Sequence, residues 1–256
     1  MKTRAIIMII GTMLLMGCLL PQSGFTQQKD RAFEILERLD KNMVFETIYS
    51  ESEMIITANK RKISKSLTGW SQGNEKSFMT FLSPARDKGT KILKLDNIIK
   101  VYYPSAERVM RLSGHMMRQS MMGSDFSYED MTQRATKMRE EYTGEVMENI
   151  LLDGRPCYLL KLTSKKKKQT YYTRKMWIEK ERFIGLKEEL YARSGKLLKV
   201  ITINEIKTFK DRHYPIRMTI EDKLRRNSKT EMIFKKIDFD AKIPAGIFTD
   251  RNLMKK

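Results

Sequence analysis

Histidine and cysteine are nearly absent, with two of each in 256 residues. Neither His115 nor His213 has a cysteine or an acid at metal-ligand spacing, and no HExxH or CxxC occurs, so the common metal sites are excluded and no cofactor is implied. Two cysteines, Cys18 and Cys157, cannot supply a disulfide framework. Ser124 lacks the G-x-S-x-G elbow and there is no phosphate loop. Asp125, Glu129 and Asp130 read as caps and turn acids rather than as a carboxylate pair. The sequence thus makes no case for an enzyme. Tandem repeats, low-complexity linkers and a strand–helix alternation are also missing. Acidic residues are scarce: 31 Asp and Glu against 50 Lys and Arg leave a formal charge of +19, which points to an anionic partner or surface.

What is present begins with a short basic head, Met1-Lys2-Thr3-Arg4, and an unbroken apolar run from Ala5 to Leu20 that Pro21 ends. This run is short for a spanning helix and is followed by small polar residues, the pattern of a signal peptide over residues 1–26. Export makes nucleic acid an improbable partner for so basic a chain. Removing Lys2 and Arg4 takes only two from the charge, so the basicity belongs to the mature protein. Two cleavage modes compete. Leu15-Met16-Gly17-Cys18 resembles a lipobox that would leave Cys18 acylated, whereas Gly24-Phe25-Thr26 offers an ordinary small-x-small site. The apolar run continues past Cys18, which favours the ordinary site and a single domain over 27–256.

From Gln28 to Met43, residues Ala32, Ile35, Leu36, Leu39 and Met43 share one face of an amphipathic helix. Beyond Val44 the texture turns to short β-favouring runs, including Met54–Thr57, Ser66–Trp70, Phe78–Leu82 and Val109–Leu112. In the second half come alternating runs around Tyr158–Leu162, Tyr172–Ile178, Ile184–Leu190, Leu197–Ile203, Ile216–Ile220 and Ile233–Phe239. Gly73-Asn74, Asp96-Asn97, Asp153-Gly154, Ser194-Gly195 and Arg226-Asn227 mark hairpin turns. The spacing predicts a mainly β chain of about ten or eleven strands in one curved antiparallel sheet with a few helices. Several strands are apolar on both faces, as in Phe78-Met79 and Leu159-Leu160, which suits a barrel-like sheet with helices or a ligand on its concave side.

One mid-chain stretch fits neither pattern. Methionines cluster at 110, 116, 117, 121 and 122, then Gly123-Ser124-Asp125-Phe126-Ser127-Tyr128-Glu129-Asp130 leads into a helical spacing at Met131, Ala135 and Met138. Ser127 with Asp130 has the form of a capping box. Methionine is flexible and polarizable, suited to apolar contacts of changing shape, although it also plugs ordinary cores.

Met122 to Asp130, preceded by Val101-Tyr102-Tyr103-Pro104-Ser105 and by Glu107 to Gly114, resembles the LolA-like outer-membrane lipoprotein-sorting proteins. The N-terminal helix and Ile243 to Thr249 fit the same pattern. The resemblance implies an unclosed antiparallel β-barrel with helices over its concave face, located in the periplasm and carrying the acyl chains of lipids or lipoproteins. Strand alternation then nominates Trp70, Phe81, Leu93, Val101, Tyr103 and Met110 as groove residues, with Met121, Met122, Phe126 and Tyr128 on a lid. The run Lys165, Lys166, Lys167 and Lys168 is the candidate contact with anionic headgroups or a membrane surface. The alternative is a protein-binding sensor or accessory of the same fold, either RseB-like or partnering an inner-membrane exporter of the resistance-nodulation-division type.

Overall fold

The computed structural model describes residues 23–43, 45–132, 135–210 and 212–255. The basic head, the apolar run and Cys18 lie outside these residues, and with them most of the expected signal peptide. Helix α1 (Ser23–Met43) opens the described chain, ahead of β1 (Thr47–Ala58), β2 (Arg61–Gln72), β3 (Lys76–Phe81), β4 (Lys91–Leu95), β5 (Ile98–Tyr103) and β6 (Arg108–Leu112). A crossing segment ends in α2 (Ala135–Glu141). Then follow β7 (Tyr142–Leu152), β8 (Arg155–Ser164), β9 (Thr173–Glu179), β10 (Gly185–Tyr191), β11 (Leu197–Phe209), β12 (Arg212–Asp222) and β13 (Ser228–Phe239), with α3 (Asp250–Met254) last.

All thirteen strands form one sheet, ordered β6-β5-β4-β3-β2-β1-β13-β12-β11-β10-β9-β8-β7. The order is two meanders joined where β1 pairs with β13, and β6 and β7 remain as separate edges. The unclosed antiparallel barrel is therefore the observed fold. Thirteen strands replace the expected ten or eleven, largely because β7 was not apparent. Its run Tyr-Thr-Gly-Glu-Val-Met-Glu-Asn follows a helical spacing and lacks a clean alternation, and a bulge at Val146/Glu148 breaks its register. The tight hairpins close through left-handed residues: Asn59 and Lys60 have φ of 48° and 66°, Asp153 and Gly154 of 49° and 75°. Such turns match the twist of the flanking strands.

The inner face carries two apolar clusters side by side. Over β7 to β9 it buries Leu160, Leu162, Met176 and Ile178 beneath Ala32, Phe33, Ile35 and Leu36 of α1, with Met138 of α2. The expected amphipathic face is the one that packs, with Phe33 added to it. Burying each of Phe33, Ile35 and Leu36 contributes about 1.5–3 kcal/mol, enough to hold a helix that propensity alone would not. The far end of α1 is tied down at Asn42, whose Nδ2 donates to the Arg182 carbonyl (2.5 Å) and whose Oδ1 accepts from the His213 N–H (2.9 Å). Over β1 to β6 and β13 the inner face buries Met54, Ile56, Phe81, Ile92, Ile99 and Val101 beneath residues of the segment between β6 and α2.

The outer face has smaller clusters. Phe78, Leu93 and Tyr102 pack under Leu253, Ile247 and Phe248 of the C-terminal segment. Thr249 caps α3, accepting from the Asn252 N–H at 3.2 Å.

Helix α1 crosses β7 at Gly144. A Cβ there would meet Ala32 Cβ and Leu162 Cδ2 at 3.1 Å each. Gly144→Val should therefore lower stability by about 1–3 kcal/mol through overpacking. Urea unfolding followed by circular dichroism checks this, with Gly185→Val on β10, where Leu39 sits at 3.5 Å, as the milder comparison.

Candidate functional site

After Leu112 the chain crosses the inner face as a lid of three 3₁₀ turns, Gly114–Arg118, Met121–Gly123 and Glu129–Thr132. The expected single helix through Met131 and Met138 is thus divided between the last of these turns and α2. Met121 and Tyr128 are buried, and Met110, Met116, Met117, Met122, Phe126 and Met131 are half-buried on the same cluster. Met122 is left-handed (φ 51°), followed by Gly123 at φ 81°. That conformation costs a side-chain-bearing residue roughly 1 kcal/mol, so packing and anchoring must hold it.

Two carboxylates provide the anchors. The Asp125 side chain is fully buried, and its Oδ2 accepts from the Thr230 hydroxyl of β13 at 2.7 Å. The same hydroxyl oxygen accepts the Asp125 N–H at 2.9 Å. The second oxygen, Oδ1, has no hydrogen bond and is balanced by the Arg225 guanidinium at 3.6 Å. Arg225 also donates to the Ser124 carbonyl at 2.8 Å. Asp130 gathers three donors: the Ser127 N–H (2.7 Å), the Tyr171 hydroxyl (2.6 Å) and Lys199 Nζ of β11 (2.6 Å). The expected capping box is half realised, since Asp130 reaches back to Ser127 while the Ser127 hydroxyl has no hydrogen bond. Burial, reinforced by the Asp130 charge, pushes the Tyr171 phenol well up, so it stays a donor. Burial also raises Tyr128, whose hydroxyl lies 3.5 Å from that of Tyr103.

Between α1 and the lid the two covers leave a gap. A cavity of about 280 Å³ opens there, lined by Leu36 and Leu39 of α1, Met138, Met176, Leu190 and Ile201. Its polar end holds Asp130, Tyr171, Arg174 and Glu188. Arg174 is buried, yet Glu188 at 2.6 Å holds it protonated against the cost of burial. Asp130 is matched by Lys199 and Arg174 by Glu188; Asp40 of α1 also lines the wall, its carboxyl pushed up by burial, and the remaining lining is hydrocarbon. Such a space suits an apolar chain and offers no nucleophile or base with a reacting partner.

Eight of the ten sequence-nominated groove and lid residues come together on the inner face: Phe81, Val101, Tyr103, Met110, Met121, Met122, Phe126 and Tyr128. Trp70 and Leu93 do not. Both face outward and pack with Phe78 near the C-terminal segment, because Trp70 pairs with Phe78 and Phe78 with Leu93 across β2–β3–β4. A side-chain period of two makes an error of one residue an error of face. The lysine run is also divided. All four lysines are exposed, but Lys165 Nζ donates to the Arg139 and Glu140 carbonyls at the end of α2 and Lys166 pairs with Glu141 at 2.8 Å, whereas Lys167 and Lys168 pair with no acid among the described residues. Cys18 lies outside the described residues. Leu36, Leu39, Met176, Leu190 and Ile201 were not nominated. The helical face of α1 and the alternation of β9–β11 mark them as buried, but only the tertiary structure sets them around one space. Cys157 is buried, and burial together with Glu179 pushes its thiol up.

The open sheet with a covered inner face is a fold shared with solved structures. A DUF1329 family protein from Desulfovibrio piger superposes with a TM-score of 0.82 at 24% identity, over 88% of this chain and 99% of that one. A Vibrio parahaemolyticus domain described as an outer membrane lipoprotein-sorting protein domain gives 0.80 at 22%, over 89% and 100%. A LolA superfamily protein from Nitrosomonas europaea gives 0.71 at 23%, over 86% and 98%. At these identities the likeness is one of fold. Residues 73–255 match a family model described as "-like: Uncharacterized protein", and the chain belongs to that family. None of the curated proteins matches the sequence.

The Asp130–Lys199 pair can be tested as a lid anchor. Asp130→Ala leaves a buried ammonium without its partner, a change that costs about 3–5 kcal/mol in comparable sites. Hydrogen exchange should accelerate across 114–132 while amides of β1, β2 and β13 keep their protection.

Proposed function

We propose that this protein is an exported carrier that holds the acyl chain of a lipid or lipoprotein between the sheet, α1 and the methionine-rich lid, acting in the periplasm in transport toward the outer membrane. The observation that carries the reading is the apolar cavity of about 280 Å³ where the two covers of the inner face part. Small-ligand sites commonly span about 300–1,000 Å³, so the closed form has room for only part of a long chain. The remainder would enter by displacing the lid. The half-buried methionines suit that event, because an unbranched thioether side chain can re-pack against a guest as readily as against its own sheet. Each methylene transferred from water contributes about 0.8 kcal/mol, so a handful offsets the loss of one lid anchor.

In this reading residues 1–26 direct export, residues 27–256 are the carrier domain, and catalysis has no part. The description of the Vibrio parahaemolyticus neighbour as lipoprotein-sorting supports the cargo class. Acylation of Cys18 would make the carrier membrane-tethered; ordinary cleavage would leave it free.

Native mass spectrometry of protein purified from a periplasmic fraction, with lipid extraction of the same sample, is the direct test. A co-purifying acyl lipid or acylated peptide is the expected result. Protein that emerges empty and takes up no labelled lipid would overturn the reading. Met122→Asp with Phe126→Asp should abolish retention while the sheet stays folded by circular dichroism. Ile201→Asp, at the cavity floor, should weaken it at least tenfold; unchanged retention in both variants would place the cargo elsewhere.

A further inference from the structure

Because consecutive strands within each of the two meanders pair antiparallel, the connections alternate between the two ends of the sheet. Six of them, 59–60, 82–90, 104–107, 165–172, 192–196 and 223–227, fall at one end. The pairing of β1 with β13 makes this end continuous: Ala58 lies opposite Ser228, and the Asn59 N–H donates to the Asn227 carbonyl at 3.2 Å. These six connections contain twelve Lys and Arg against two acids, Asp87 and Glu107. The described residues of the five connections at the other end, 73–75, 96–97, 153–154, 180–184 and 210, contain three basic residues against four acidic ones. The charge carried by the connections is therefore polarised along the strand direction.

Ion pairing does not cancel the basic end. Lys223 pairs with Glu221 and Lys166 with Glu141, but Lys60, Lys88, Lys167, Lys168, Lys196 and Arg226 are exposed and pair with no acid among the described residues. On the strands the opposite habit holds, as Lys161–Glu145, Lys187–Glu189 and Lys229–Glu231 show. Two large apolar side chains stand exposed among these cations, Leu224 at the tip of the β12–β13 turn (57%) and Leu82 after β3 (45%).

We infer that this end of the sheet is a docking surface for a bilayer rich in acidic phospholipid. The cations supply attraction to phosphate headgroups, each contributing within a Debye length of about 8 Å at physiological salt. Leu82 and Leu224 supply the second signal, apolar insertion at the headgroup boundary. An acidic protein would match the charge but would have no use for isolated leucines on turn tips. The inference goes beyond the carrier reading, since it would hold even for a protein whose cavity carried nothing. It also sets the geometry of any exchange. Arg225, in the same turn as Leu224, holds the Gly123 and Ser124 carbonyls, so the lid anchor lies at the membrane-facing end.

Co-sedimentation with vesicles tests it. The protein should bind vesicles of phosphatidylglycerol and phosphatidylcholine at 3:7, ignore pure phosphatidylcholine, and lose binding as salt rises. At about fivefold per cation near the surface, the combined variant Lys167→Gln, Lys168→Gln, Lys196→Gln, Arg226→Gln should bind at least a hundredfold more weakly. All four side chains are exposed, so the variant should fold. Leu224→Ser should weaken binding severalfold, whereas Leu151→Ser, more exposed but beside the 153–154 turn, should not. The Met122→Asp, Phe126→Asp lid variant should bind vesicles normally, which separates this inference from the carrier reading. Equal binding to neutral vesicles, or undiminished binding by the fourfold variant, would overturn it. So would binding to polyglutamate as tight as to vesicles and indifferent to Leu224→Ser, which would identify an acidic protein as the partner.

Discussion

An open sheet of thirteen strands that is apolar on its inner side has to hide that side from water, and the rest of the molecule is arranged to do so. A closed barrel would bury its interior with strands alone. Here β6 and β7 stay apart, so the covering must come from elsewhere in the chain. It comes in two pieces of different character. Helix α1 is a regular amphipathic element whose apolar stripe fits the floor of β7–β9 over Gly144, where close approach leaves little slack. The lid over β1–β6 has little regular structure. It follows the floor with methionines and short turns and is held at two points by buried carboxylates. A rigid cover and a compliant one meeting over one floor leave a seam, and the cavity lies in that seam.

Electrostatics decides where the compliant cover is pinned. Asp125 and Asp130 would be costly burials alone, and each is matched by a cation from the other meander, Arg225 and Lys199. Both partners sit in the β10–β13 half, whereas the apolar contacts of the lid are made largely with the β1–β6 half. The segment thus bridges the two meanders, with greasy contacts on one side and charged contacts on the other. Hydrophobic contacts are non-directional and tolerate re-packing; ion pairs and hydrogen bonds hold only at particular separations. A lid built this way has defined closed coordinates and few barriers to shape change beneath it.

Much of this could be read from the amino-acid order alone, and the exceptions have physical causes. Alternation over Phe81, Val101 and Met110 identified the inner face because those strands are regular. Trp70 and Leu93 were misassigned because β2–β4 bury apolar residues on both faces, and only the cover on each side, the lid or the C-terminal segment, distinguishes them. Strand β7 escaped notice because its bulge and its polar residues mask the period. The helix-like spacing of Met131 and Met138 was real as an apolar pattern, but the turn at Glu129–Thr132 interrupts it.

Composition and local pattern determined the class of this protein: mainly β, strongly basic, led by an apolar segment, with an amphipathic helix first and a methionine-rich interruption in the middle. These are properties of short windows, in which side-chain period and turn chemistry act without reference to distant residues. Tertiary structure alone decided which halves of the sheet each cover serves, that Asp130 meets Lys199 across 69 residues, and that half of the lysine run, though exposed, is bonded to the end of a helix. It also decided that twelve basic residues scattered over six connections share one end. The reason is the same in each case. Pairing register and strand order convert sequence separation into spatial neighbourhood, and no local window contains that information.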